Sequence, residues 1–255
     1  MNSSLDGKGF ISVPWSAPAN VHAVITTRHG GMSSPPFASN NLAVHVGDDP
    51  DVVQANRQQL AKQIGVECWQ WLNQIHSSEV VSASFADNNV PSADACITRE
   101  PGLALAVLTA DCLPILLCDD LGEQVAVCHA GWRGLAAGVL HNTVAKFDAV
   151  PAGIHAYIGP AIGAAHFEID APVIDAFVQA PTFSGINVEG YFTPTSNKPG
   201  HWQGHLAGLA AAQLKALGVR SVGGGELCTV TEKQHFYSYR AEHTTGRFAS
   251  IIWRS

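Results

Sequence analysis

Apolar positions along this chain fall into short runs divided by loops rich in glycine and proline, with helically spaced stretches between them. Val21-His22-Ala23-Val24-Ile25-Thr26-Thr27 has the β-branched content of a strand, and Arg28-His29-Gly30-Gly31-Met32-Ser33-Ser34-Pro35-Pro36 reads as a long polar loop. Asp49 is placed to cap a helix whose first residue is Pro50; Val53, Leu60 and Ile64 fall near one face, and Gly65 ends it. The run from Gly102 to Cys118 is too long for one strand and is interrupted by the polar Asp111-Cys112 pair and by Pro114, which predicts two buried strands meeting at a kink. Val125 to Cys128 is the next strand, so His129 stands at a strand end, and the glycine-bearing turn from His129 to Gly134 leads into a helix through Phe147. Ile154 to Ile158 predicts a strand, Asp170 caps a helix to about Ala180, and Pro181 to Gly200 is loop-like. Leu206, Leu209, Ala210, Leu214 and Leu217 line a helix ended by Gly218, Gly223-Gly224-Gly225 is a turn, and Arg247 to Trp253 is a closing strand. No internal repeat, low-complexity tract or linker divides the 255 residues, so one mixed α/β domain is expected.

Composition narrows the class of protein. Charged residues make up only 14% of the chain and hydrophobic ones 46%, which calls for a large interior and a compact, enzyme-like body. A net charge of −7, with 14 lysines and arginines and no basic run, argues against a nucleic-acid reader. The segment Met1-Asn2-Ser3-Ser4-Leu5-Asp6 lacks the charged and apolar blocks of a signal peptide, and no apolar stretch reaches the roughly 18 residues of a membrane span, so a cytoplasmic protein without membrane contact is expected. The six cysteines form no CxxC pair and suit reduced thiols, with Cys118 and Cys128 as small buried hydrophobes.

Three residues concentrate the candidate chemistry: His76, Cys112 and His129. Each alone has a plain structural reading, as a hydrogen-bonded histidine or a packed cysteine. Their short polar segments beside turns, and the ionisable Asp111 inside an apolar region, call for a further reason. Two imidazoles and a thiolate suit zinc or copper, and three protein ligands leave a coordination position open as in catalytic sites. The same residues could instead form a thiolate and imidazole hydrolytic pair, Cys112 as nucleophile and His129 as base. Spacings of 36 and 17 residues match no compact finger, so the fold must bring the trio together. The turn containing Gly131, Arg133 and Gly134 could cradle an anion at a helix start, and Arg28, His29, Arg240 and Arg247 could line a cleft, although surface placement serves them equally well.

Segments in order along nearly the whole chain carry a resemblance: Thr27 to Ser33, Val46 to Pro50, Asn73-Gln74-Ile75-His76, Leu108 to Ile115, His129-Ala130-Gly131-Trp132-Arg133-Gly134, Ile158-Gly159-Pro160 and Phe236 to Arg240. By these the chain resembles the bacterial YfiH-type proteins, related to the human laccase-domain-containing protein. The resemblance implies an α+β fold, a single domain over residues 1–255 with a four-layer α/β/β/α arrangement and mixed sheets. It also implies a catalytic zinc, with copper as the other metal, on His76, Cys112 and His129, and purine nucleosides and phosphate as substrates. Members of the family are described as phosphorolysing adenosine, inosine and methylthioadenosine and as deaminating adenosine. Other descriptions are a peptidoglycan-editing hydrolase acting on a serine-containing muropeptide and a copper polyphenol oxidase. The oxidase ranks last, because this chain has 12 histidines but no His-x-His pair for several copper centres. For the nucleoside chemistry, Asp111 or Glu79 is a candidate proton shuttle and Arg133 a candidate anion donor. Two departures stand out: relatives commonly carry Arg-Arg-Asp where this chain reads Arg240-Ala241-Glu242-His243, and Ser77 replaces a glycine that often follows the first histidine. Nothing in the residues sets the oligomeric state; a monomer is compatible.

Overall fold

The computed structural model describes residues 9–85, 89–196 and 198–255, so the Met1–Asp6 segment read for targeting lies outside the described residues. In chain order the first elements are β1 (Phe10–Ser12), β2 (Val21–Thr26), α1 (Pro50–Ile64), β3 (Cys68–Gln70), β4 (Val80–Ser82) and β5 (Ala95–Thr98). The long central strands β6 (Leu103–Thr109), β7 (Leu113–Asp119) and β8 (Val125–Ala130) follow, then α2 (Trp132–Ala136), α3 (Val139–Ala145) and β9 (Ile154–Ile158). The last third holds β10 (Glu168–Asp170), α4 (Ala171–Val178), β11 (Phe192–Pro194), β12 (His201–Gly204), α5 (Leu206–Ala216), β13 (Ser221–Gly224), α6 (Tyr239–Glu242) and β14 (Phe248–Arg254).

Side-chain alternation along the central strands builds the layers. On β6, Leu103, Leu105 and Val107 face an inner core with Leu116, Cys118, Val125 and Val127, while Ala104, Ala106 and Leu108 face the opposite way, toward Leu60 of α1. On β7, Leu113, Ile115 and Leu117 point into a third cluster with Leu140, Phe177 and Leu209 of the helices. Helix α1, a five-stranded sheet ordered β1-β2-β14-β6-β3, a six-stranded sheet ordered β13-β9-β7-β8-β5-β4 and a helical layer are therefore stacked, the α/β/β/α arrangement with mixed sheets. A small sheet, β10-β12-β11, adjoins the helical side. Strands buried on both faces need apolar residues at every position, which is why the run from Gly102 to Cys118 shows no alternation of polarity.

Local signals account for many of the boundaries. The Asp49 carboxylate accepts from the N–H of Asp51 at 2.9 Å, Pro50 opens α1, and Gly65 closes it at φ 71°. The two buried strands expected between Gly102 and Cys118 form and meet at the kink Ala110-Asp111-Cys112, which carries the chain from the five-stranded to the six-stranded layer. Four expectations need correction. The helix expected through Phe147 is two, divided by Gly138 at φ 94°. The segment Pro181 to Gly200 holds two short 3-10 turns and β11 rather than loop alone. Gly223 and Gly224 belong to β13, paired in parallel with β9, and Asp170 precedes α4 without a side-chain capping bond. Among the described residues no helix is long and apolar enough to cross a membrane.

Candidate metal centre

Chain crossings between the two sheets assemble the site. His76 lies between β3 of the five-stranded sheet and β4 of the six-stranded one, and Cys112 lies on the β6–β7 crossing; His129 is near the end of β8. Both crossings turn sharply, with His76 at φ 58° and Asp111 at φ 97°, left-handed values that cost a non-glycine residue about 1–3 kcal/mol and are kept where surrounding contacts enforce them. The ligand atoms of His76, Cys112 and His129 all lie within 4.8 Å of one another. Cys112 Sγ is 3.9 Å from His76 Nε2, close to the roughly 3.6 Å that sulfur and nitrogen take on one tetrahedral zinc-sized ion. The donor set and its spacing fit a metal with one open position.

A buried carboxylate that the sequence reading passed over organises these ligands. Asp94, at the entry to β5, is fully buried and accepts His129 Nδ1–H at 2.8 Å, the backbone N–H groups of His76 at 3.0 Å and Ser77 at 2.6 Å, and the Ser77 hydroxyl at 2.8 Å. Holding the proton on Nδ1 would leave His129 Nε2 free for a metal and fixes the ring plane. Burial alone would raise the Asp94 carboxyl, but the hydrogen bonds from His129 and Ser77 outweigh it and hold it at about 2. Burial likewise opposes the charged forms of the ligands. His129 and His76 nonetheless bring the Cys112 thiol down to about 6, and Cys112 with Asp94 lifts His129 to about 9. Ser77 therefore has a task beyond shaping a turn. Gln74 clamps the same segment to β6, donating to the Leu108 carbonyl and accepting its N–H, both at 2.8 Å.

Gly131 is required by space and not by conformation, since its φ of −61° and ψ of 160° suit any residue. A Cβ there would sit 2.9 Å from His76 Cδ2 and 3.1 Å from Cys112 Sγ. Gly131→Ala should displace two ligands and weaken metal affinity about tenfold or more, read by competition with a chelating dye; an unchanged affinity would show that the ligands yield freely.

The trio opens into a cleft of about 490 Å³ whose lining also includes Asp111, Gly131, Arg133, Arg240 and Arg247. Arg133 is exposed, stacked over the Trp132 ring at 4.3 Å, and forms no ion pair among the described residues. Both oxygens of Asp111 are engaged, one by the Thr229 hydroxyl and the other by the Arg240 N–H, each at 2.6 Å, so this carboxylate fastens the cleft wall. The Arg240 guanidinium donates to the carbonyls of His166 and Glu168. Three candidates lie elsewhere. Arg28 pairs with Glu242 at 2.9 Å and reaches the Lys233 carbonyl, away from this cleft. Glu79 faces a separate depression beside Ser78 and Asn142. Gly134 lets α2 lie against the Ser77 carbonyl, which a Cβ would approach to 2.7 Å. Glu242 takes up the departure after Arg240, bonding both Arg28 and the Thr245 hydroxyl. Cys118 and Cys128 are buried thiols as expected, and burial pushes Cys118 up to about 12.

Two mixed sheets stacked between helices, with a His/Cys/His donor set at the seam of the sheets, define a laccase-domain type of α/β protein. Residues 22–255 match the family described as multi-copper polyphenol oxidoreductase laccase, and the chain belongs to it. A Pseudomonas aeruginosa protein named purine nucleoside phosphorylase PA4543 is 44% identical over 96% of this chain and 98% of its own length. The Escherichia coli purine nucleoside phosphorylase YfiH is 41% identical over 94% of this chain and 96% of its own. The crystal structure of Neisseria meningitidis protein NMB0706 superposes with a TM-score of 0.91 at 45% identity, covering 97% of this chain and 100% of that one. Among the described residues one group of three or more His, Cys, Asp or Glu side chains is close enough to hold an ion.

Proposed function

We propose that this chain is a zinc-dependent purine nucleoside enzyme, phosphorolysing adenosine, inosine and S-methyl-5′-thioadenosine and also deaminating adenosine hydrolytically. The observation that carries the reading is the three-donor centre of His76, Cys112 and His129, backed by Asp94 and opening into a cleft with cationic and apolar walls. Relatives named purine nucleoside phosphorylases support it. Two imidazoles and a thiolate suit zinc, which when bound supplies a Lewis acid with an open position. The residues of the chain do the rest. Asp94 holds His129 in the metal-binding tautomer, and Ile162, Phe167, Leu206 and Tyr239 offer apolar surface to a purine. Arg133 and Arg247 supply cations for an anionic co-substrate, and Asp111 keeps the Arg240 wall in place. In phosphorolysis a phosphate oxygen bonds to C1′ of the sugar, the C1′–N9 electron pair leaves with the purine, and the purine takes up a proton. In deamination one water replaces the 6-amino group, which departs as ammonia.

The test is direct. Metal-loaded protein incubated with adenosine and phosphate should release adenine and inosine, and with inosine should release hypoxanthine and ribose 1-phosphate, all resolved by chromatography. No product from any purine nucleoside would end the nucleoside reading.

A further inference from the structure

The cleft has a second pole, formed by His45 and Arg247. His45 comes from the loop between β2 and α1 and Arg247 stands just before β14, so both are carried by the five-stranded side of the cleft; Arg133 comes from α2 on the other side. One buried side chain builds this pole. Asn41 accepts the backbone N–H groups of Ala43 at 3.0 Å and Arg247 at 2.9 Å, and donates to the Ala43 carbonyl and to Asp48 Oδ2, both at 3.0 Å. Leu42 N–H donates to the Arg247 carbonyl at 3.2 Å, and Arg57 Nε to the Leu42 carbonyl at 2.9 Å. The segments carrying His45 and Arg247 are thereby fixed to one another.

The guanidinium of Arg247 is oriented and forms no ion pair among the described residues, although the charges of Cys112 and Asp111 lie near enough to favour it. Its Nη1 donates to the carbonyls of Thr245 at 2.8 Å and Gly246 at 2.9 Å, while Nε and Nη2 make no hydrogen bond to a described residue. Nearby carboxylates are committed elsewhere: Asp48 Oδ2 accepts from Ser33 and Asn41, and Asp111 from Thr229 and Arg240. Partial burial, then the charges of Arg247 and Arg57, holds the His45 ring below its ordinary value, so a neutral imidazole able to donate one N–H stands near two guanidinium cations in a chain whose net charge is −7. A planar guanidinium edge beside an imidazole is the pattern that takes a tetrahedral oxyanion. Arg240 commits both terminal nitrogens to carbonyls, whereas Arg247 commits only Nη1, and Arg133 lies exposed on Trp132, so neither Arg240 nor Arg133 offers an edge both free and fixed.

We propose that His45 and Arg247 are the seat of the inorganic phosphate co-substrate, an inference that rests on the phosphorolysis reading above. Metal-loaded wild type, His45→Ala, Arg247→Gln, Arg247→Lys and Arg133→Gln are titrated with inorganic phosphate by calorimetry, and KM for phosphate and for inosine are measured in parallel. Phosphate Kd and KM rise about tenfold in His45→Ala and about 100-fold in Arg247→Gln, with partial recovery in Arg247→Lys, while KM for inosine moves less than about threefold. Much of the His45 side chain is open to solvent at the cleft mouth, so His45→Ala keeps the fold, and melting temperatures check the others. Phosphate affinity within about twofold of wild type in both His45→Ala and Arg247→Gln, or a loss confined to Arg133→Gln, would overturn the seat. If phosphate binds through these residues but no nucleoside reacts, the phosphorolysis reading fails and the anion seat stands; if inosine is phosphorolysed with a phosphate KM untouched by either change, the seat alone fails.

Discussion

Cys112→Ser loses metal and turnover together. A serine hydroxyl stays protonated where the thiol, held at about 6 by His129 and His76 against burial, is ready to give up its proton to an ion. Two imidazoles without the thiolate bind a borderline metal poorly, so affinity and base release should each fall by more than about 100-fold. The change removes no core packing, because Cys112 is only partly buried and the crossing is held by Asp111 and Ile162 N–H. Metal content after gel filtration and product release from inosine read the two losses. Retained metal with lost turnover would instead make Cys112 a nucleophile, and full turnover in a metal-free Cys112→Ser protein would refute the metal assignment.

Asp94→Ala combines a stability loss with a weakened centre. Removing this carboxylate leaves the N–H groups of His76 and Ser77, the Ser77 hydroxyl and His129 Nδ1 without their acceptor, at a cost of about 3–5 kcal/mol. Metal affinity should fall about 10–100-fold as His129 loses its orientation. Acid titration of the metal-free proteins supplies a sign. The folded carboxyl is depressed to about 2 from an ordinary 3.8, so its contribution is present above that ordinary value and disappears as pH falls through 2. The stability gap between wild type and Asp94→Ala should therefore narrow by about 2 kcal/mol between pH 5 and pH 2, measured by denaturant unfolding. A gap that stays constant over that range would mean that Asp94 is not held ionised by its donors.

Much of this architecture was legible because central strands buried on both faces must be apolar throughout, and because a polar pair such as Asp111-Cys112 inside such a run marks a break. The run could not show that its two halves enter different sheets, since pairing partners such as β14 and β9 lie far along the chain. His76, Cys112 and His129 were readable by residue type and by the resemblance, but Asp94 was not. Its signal, one acid between Ala93 and Ala95 at the head of an apolar strand, is the same as that of Asp111 and went unused. Asn41 and His45 were missed for another reason: Asn41 acts through a bond to Arg247, 206 residues away, and His45 meets Arg247 only across the folded cleft. Arg28 was drawn to the site by its motif, although its partner Glu242 occupies a different face.

Two of the three candidate ligands ride on passages between sheets, and stacked sheets share no ladder of hydrogen bonds. An ion held there ties residues 76, 112 and 129 into closed loops, constraining the unfolded chain much as a covalent cross-link would. Because the three donors converge only after both layers have formed and docked, a half-assembled molecule presents no complete coordination sphere. With an ion bound there, chemistry at this centre would be confined to finished molecules, and metal uptake would be a late checkpoint on folding.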